Sequence, residues 1–250
     1  MKAVIVSAFF LLFGVCVSAG KEFPKESAAR KIFLRIKDDN LPKEYVEAVM
    51  KDPRMRFDRA LIDTIRTLKR RRTGFGFMFD SVSVARGKSF LKGYAPLGGV
   101  SKKYGVPPEI LTAMFRIECD LGLNAGTFCA PTTFYTLYVH FPKYRAFALR
   151  EMRMFLRWCK KESIDPFSVR GSWMGALFLT QFMPSSLGFG VDGDGDGKVN
   201  LLSFTDALFS IGNYLKKAGY RRNPRKAVFQ YNHNEAYVKA VFRYAELIKK

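Results

Sequence analysis

The sequence predicts a mainly α-helical protein, and three observations carry that reading. Apolar residues recur at i, i+3, i+4 and i+7 in one stretch after another. Prolines precede several of these stretches and glycines follow them, as helix starts and stops require. Alternating apolar and polar runs, the mark of half-buried strands, are sparse.

With 250 residues, 48% of them hydrophobic and 15% aromatic, the chain can bury a full core. It suits one large domain, or a domain with a smaller lobe. Its formal charge of +20 favours a polyanionic partner. No nucleic-acid motif is present, so nucleic acid is not expected. For an exported chain, cell-wall polymers and anionic lipid headgroups come first.

Export is expected from the beginning of the chain. Met1 and Lys2 precede the apolar run Ala3–Val17, and the small residues Ser18, Ala19 and Gly20 follow. This reads as a secretory signal over 1–19, cleaved after Ala19 and too short to span a membrane. Cys16 raises a lipid anchor, but Phe13-Gly14-Val15 is a poor match to the Leu-Ala-Gly that usually precedes a lipidated cysteine. Removal of the signal leaves Cys119, Cys129 and Cys159, which allow at most one internal bridge. Their spacing, and the presence of only His140 and His233, do not suit zinc.

Residues 20–80 read as a basic, helical N-terminal region. Pro42 can start a helix through Tyr45, Val46 and Val49, and Lys69-Arg70-Arg71-Arg72 is followed by Gly74 and Gly76 as a break. The basic run reads as a solvated face, with contact to an anionic polymer as the alternative. Residues 81–250 are expected to form the catalytic domain. There Arg86 to Lys103 resembles one further helix leading into Tyr104.

The central stretch is Tyr104 to Gly122. Pro107 and Pro108 suit the first turn of a helix, and Gly122 suits its stop. Leu111, Met114 and Phe115 form one apolar stripe, and the next position on that stripe is Glu118. A carboxyl on a buried stripe loses hydration, so its pKa rises and it can serve as a general acid near neutral pH. The alternative is a Glu at the edge of the stripe, paired with Arg116 or a distant Lys.

Further along, Ala148, Met152, Phe155 and Cys159 place a core helix over Arg145 to Lys161. The run Gly171-Ser172-Trp173-Met174-Gly175 continues to Gln181-Phe182-Met183-Pro184-Ser185-Ser186. Gln181 among apolar residues is either a structural bridge or a substrate contact. Asp192, Asp194 and Asp196 alternate with glycines, and Gly197 stands sixth, as at the front of an EF-hand calcium loop. The carbonyl of Lys198 can supply the seventh position. The twelfth is Ser203 in place of Glu, and Asp206 is the nearest acid able to close the site. A bound calcium ion is expected here, against a solvated acidic turn. Ser203 or Thr205 can then cap a helix ended by Gly219, and a last helix follows Tyr231-Asn232.

Taken together and in this order, Tyr104-Gly-Val-Pro-Pro-Glu-Ile, Ile117-Glu118, Gly171-Ser-Trp-Met-Gly-Ala, Gln181-Phe-Met-Pro-Ser-Ser and Val191-Asp-Gly-Asp-Gly-Asp-Gly resemble the membrane-bound lytic murein transglycosylase B family. The resemblance covers Val84 to Lys250. It implies a lysozyme-like catalytic domain that cleaves the MurNAc-β-1,4-GlcNAc bond of peptidoglycan and forms 1,6-anhydroMurNAc. Glu118 would be the single catalytic residue. Ser172, Gln181, Tyr231, Asn232 and Tyr237 would contact the glycan, and Asp192, Asp194, Asp196, Lys198 and Asp206 would hold Ca2+. A monomer in the periplasm or cell envelope is expected.

Two positions depart from the family pattern: Cys119 stands where Ser or Thr usually follows the glutamate, and Phe178 where a glycine is usual. Hence a hydrolytic muramidase, with Asp120 or Asp165 as its second carboxylate, and a non-catalytic wall-binding protein remain alternatives.

Overall fold

The computed structural model describes residues 31–32, 35–36, 41–70 and 74–250, apart from the side chains of 69 and 70. The expected signal over 1–19, Cys16 and most of the Lys69–Arg72 run lie outside the described residues.

Ten helices carry the described part of the chain: α1 (Lys43–Lys51), α2 (Arg59–Arg70), α3 (Ser81–Gly93), α4 (Pro96–Tyr104), α5 (Pro108–Cys119), α6 (Ala130–His140), α7 (Arg145–Lys161), α8 (Phe204–Lys217), α9 (Pro224–Tyr231) and α10 (Glu235–Lys249). The mainly α reading therefore holds, and α1, α7 and α10 lie where the apolar spacing placed them. The strands are two residues each, β1 (Phe128–Cys129) and β2 (Arg170–Gly171), paired antiparallel with Phe128 opposite Gly171. Gly126 lies beside this pair at φ +93°, and a Cβ there would sit 2.2 Å from the Gly171 carbonyl carbon. Only glycine admits that approach.

Two hydrophobic cores organise these helices. One joins α1 and α2 to α6 and α7, with Leu41, Val46, Leu61, Phe134 and Phe155 buried together and Leu177, Phe182 and Leu187 closing it. The stretch 41–70 thus shares a core with residues 130–201. The second core is built by α4, α5, α8, α9 and α10 around Leu111, Met114, Phe115, Leu208, Tyr237 and Val241. Tyr231 packs against both cores, which puts it at their seam.

Two helix boundaries differ from the sequence expectation. Arg86 to Lys103 is not one helix: α3 ends at Gly93 and α4 begins at Pro96. Proline lacks the N–H that continuation needs, and its ring clashes with the preceding turn. The central helix also stops before Gly122. Asp120 and Leu121 already occupy the left-handed region, at φ 53° and 56°. Asp120 is held there by ion pairs to Arg86 and Arg116, both at 2.9 Å. Ser203 does stand at the N-cap of α8 but makes no side-chain cap bond, while the Thr205 hydroxyl meets Tyr94 Oη at 2.9 Å.

Candidate active site

Glu118 lies in the last turn of α5, whose inward residues Leu111, Met114 and Phe115 are fully buried. The residue keeps some exposed surface, but its carboxyl is desolvated, and this pushes its pKa up to about 8. One hydrogen bond opposes the shift: Tyr237 Oη on α10 donates to Glu118 Oε1 at 2.5 Å. Tyr237 is itself fully buried, and Phe75 stands edge-on to its ring at 5.9 Å. Burial and the adjacent carboxylate push the tyrosine pKa far above its ordinary range, so it remains a donor. A proton on Glu118 is thus steered to the other oxygen, Oε2, and no described cation pairs with the carboxyl. The ion-paired alternative for Glu118 is not observed; Arg116 pairs with Asp120.

Cys119, the departure beside Glu118, takes over a hydroxyl's bonding pattern. Its Sγ donates to the Phe115 carbonyl at 3.2 Å and accepts from Gly122 N at 3.3 Å. Burial raises its pKa and keeps it a thiol. Cys129 and Cys159 are also unbridged, so none of the three forms a disulfide.

The other glycan-contact candidates fall in different settings. Tyr231 Oη donates to the Thr180 carbonyl at 2.5 Å, and its ring packs on Phe182 and Tyr214. Burial raises the Tyr231 pKa well above the ordinary range, and the nearby charge of Glu118 adds to that shift. Gln181 Nε2 donates to the Ala125 and Phe178 carbonyls at 3.3 and 2.8 Å, tying the loop after α5 to the 171–182 loop. It acts as a bridge, and Oε1 is left to accept. Ser172 Oγ accepts from Met174 N and Ala176 N at 3.3 and 3.0 Å, closing its own turn and leaving its hydrogen to donate. Asn232 is exposed at the C-cap of α9.

Phe178 has φ +62°, so the glycine usual there corresponds to a left-handed backbone. Its ring stands edge-on to Trp158 of α7 at 5.4 Å, packed on the first core.

Sequence reasoning missed the supports of this site. The Arg86–Asp120–Arg116 clamp fixes the end of α5, and the i, i+4 spacing of Arg116 and Asp120 was its legible signal. Glu151, fully buried on α7, accepts from Ser185 N and Oγ at 2.9 and 3.1 Å and holds the turn after Gln181. Nothing in a basic, amphipathic helix marks that acid in advance.

The acidic loop forms a second centre. Carboxylate oxygens of Asp192, Asp194 and Asp206 lie within 4.8 Å of one another. Asp206 is 1% exposed and accepts from Gly193 N and Asn200 N, stitching both ends of the loop to α8. Amides of Gly197 and Gly195 donate to Asp192 and lower its pKa. Asp196 is outside the triad and accepts from Lys198 N at 2.8 Å. Three hard oxygen donors of like charge at this spacing suit a divalent cation such as Ca2+.

Comparison with known proteins matches this geometry to a family. The profile described as "Transglycosylase SLT domain" covers residues 25–229, and the chain belongs to that family. Over 126 residues it is 36% identical to the "Membrane-bound lytic murein transglycosylase B" of Escherichia coli K12, covering 50% of this chain and 35% of that protein. The match therefore spans about a third of the length of that relative. Among solved structures, soluble lytic transglycosylase SltB1 of Pseudomonas aeruginosa superposes with a TM-score of 0.77 at 23% identity, covering 88% of this chain and 97% of that one. Escherichia coli Slt35 in complex with calcium gives 0.75 at 21%, covering 89% and 93%. Pseudomonas aeruginosa SltB3 in complex with NAG-anhNAM-pentapeptide gives 0.76 at 19%, covering 90% and 79%. The fold is that of these lytic transglycosylases. Among the described residues no helix is long and apolar enough to cross a membrane.

Proposed function

We propose that this chain is a peptidoglycan lytic transglycosylase with Glu118 as its one acid–base residue. The observation that carries the reading is a desolvated carboxyl, with a pKa near 8, held at one oxygen by Tyr237. Near neutral pH Glu118 is protonated at Oε2 and gives that proton to the glycosidic oxygen as the bond to the muramoyl C1 breaks. The carboxylate so formed keeps the Tyr237 hydrogen bond and takes the proton of the muramoyl C6 hydroxyl as it closes onto C1. Glu118 ends protonated, and the product is a 1,6-anhydro sugar. Gln181, through its Oε1, Ser172, through its hydroxyl hydrogen, and Tyr231 with Asn232, at the end of α9, are assigned to the glycan.

This route needs no second carboxylate, whereas hydrolysis through a paired acid does. Asp120 is bound to two arginines, and Asp165 is paired with Arg54 at 2.7 Å while it caps Phe167 N. Both are engaged elsewhere, which favours the transglycosylase over the muramidase. Phe178, packed on Trp158, gives no ground for lost turnover.

Residues 81–250 are assigned the catalytic domain, following a signal over 1–19 and a basic region over 20–80. The protein acts as a monomer in the periplasm or cell envelope. Ca2+ on Asp192, Asp194 and Asp206, with Asp196 and the Lys198 carbonyl completing the set, stabilises the loop and takes no part in the chemistry. Mass spectrometry of products from isolated sacculi tests the function: 1,6-anhydromuropeptides are expected and disappear in Glu118→Gln, whereas reducible ends indicate hydrolysis and intact strands a binding protein.

A further inference from the structure

Between the end of α8 and α9 lies a cavity of 310 Å³ lined by Ala218, Gly219, Arg222, Asn223, Lys226 and Gln230. It sits in the most basic stretch of the second core: Lys216, Lys217, Arg221, Arg222, Arg225 and Lys226 fall within eleven residues. Some arginines elsewhere are paired with acids, as Arg54 is with Asp52 and Asp165, and Arg86 and Arg116 are with Asp120. No described carboxylate pairs with any of these six cations. Some rest on aromatic faces instead, such as Lys217 over Phe189 at 5.4 Å and Arg225 over Phe242 at 5.3 Å. Of the six, Arg222 and Lys226 line the cavity itself; two like charges on one concavity repel each other, and an anion placed inside relieves that repulsion.

A chain of contacts leads from the cavity toward the catalytic groups. Arg222, Lys226 and Gln230 are spaced four apart, so they share one side of α9 and its lead-in. Gln230 accepts through its carbonyl from Tyr214 Oη at 2.8 Å, and Tyr214 packs on Tyr231 at 4.9 Å, next to Glu118. From Lys226 to Tyr231 the helix rises only about 8 Å. An extended pentapeptide reaches about 17 Å. A peptide branch on a sugar held beside Tyr231 thus has the length to bring its terminal carboxylate to the cavity.

We propose that this cavity is a carboxylate-binding subsite for the peptide branch of the glycan substrate, with Arg222 and Lys226 as the ligand-binding cations. The proposal rests on the peptidoglycan reading given above. It also assigns a role to charge that the acid–base site leaves unused. Gly219, at φ +81° and with its Cβ position 3.4 Å from Arg222 Nη2, leaves the guanidinium room to turn inward.

The test measures binding by calorimetry to protein carrying Glu118→Gln, so that turnover does not interfere. The probes are a GlcNAc–MurNAc disaccharide with its pentapeptide, the same disaccharide without peptide, and inorganic phosphate. Arg222→Ala with Lys226→Ala is expected to weaken the peptide-bearing probe about tenfold, the size of two partly screened ion pairs. It leaves the peptide-free probe within about twofold, and the difference shrinks at high salt. Both residues are exposed, so the melting temperature stays unchanged, and Arg222→Lys with Lys226→Arg retains the affinity. Equal losses on both sugars, or none on either, overturn the subsite. Tighter binding of phosphate than of the pentapeptide probe also overturns it and assigns the anion to another source. Failure of the parent protein to bind either sugar instead counts against the peptidoglycan reading itself.

Discussion

Two groups of carboxylates face each other across this molecule in chemical terms. Glu118 is deprived of donors: burial removes water, one tyrosine replaces it, and the pKa climbs to about 8. The acids of the 192–206 loop receive donors in abundance, with amides of Gly193, Gly195, Gly197, Asn200 and Lys198 all directed at them. The same functional group is thereby prepared to carry a proton at Glu118 and, at Asp192, to stay ionised. Backbone supply makes the difference. Glu118 sits at the last turn of a helix, where N–H groups are already engaged, whereas a glycine-rich loop turns successive amides inward.

That contrast can be broken most severely at Glu118. Glu118→Gln is expected to lower turnover by about 10²–10⁴-fold, the usual weight of a general acid, read from anhydromuropeptide release. The same variant sharpens the point through stability. A carboxyl raised from 4.5 to about 8 binds its proton more tightly when folded, so the native protein loses stability as pH rises from about 4.5 to 8. The glutamine does not, and above pH 8 it should be the more stable by about 3 kcal/mol, allowing for the residue's exposed edge. Parallel pH profiles of the two melting curves would remove the case for a desolvated acid.

The loop responds in the opposite sense. Removing metal with EDTA should cost calcium-loaded protein about 2–3 kcal/mol of stability at a hundredfold excess over Kd, seen as a lower melting temperature. Asp206→Ala, which strands two amides, should destabilise by about 1–3 kcal/mol even without metal. Neither change should move the pH profile of cleavage. Next in size, Tyr237→Phe deletes the one bond that favours ionised Glu118. Its alkaline limb of activity should shift to higher pH and turnover fall about tenfold; an unmoved limb would detach Tyr237 from the acid. Smallest is Phe178→Gly, where relief of about 1 kcal/mol of left-handed strain opposes the lost contact with Trp158. Thermal melts should differ by less than about 1 kcal/mol.

Much of this site was legible in one dimension because it follows helical spacing. Leu111, Met114 and Phe115 defined a face, and Glu118 fell on it. The aspartate–glycine alternation announced the loop, and Asp206 was found as its late acid from separation alone. What stayed hidden depends on contacts between distant elements. Tyr237 meets Glu118 across 119 positions, and Glu151 holds Ser185 across 34. The break at Pro96 is local by contrast, since a ring without an N–H ends a helix wherever it stands.

The sequence by itself determined a mainly helical chain, the position of its buried acid and the glycine-rich acidic loop, because each follows from local periodicity and the φ preferences of Gly and Pro. Only the tertiary structure decided that the acid is paired with a tyrosine rather than an arginine, that residues 41–70 share a core with 130–201, and that Gln181 bridges two loops. Those outcomes turn on which desolvated groups meet, and desolvation is a property of the packed interior.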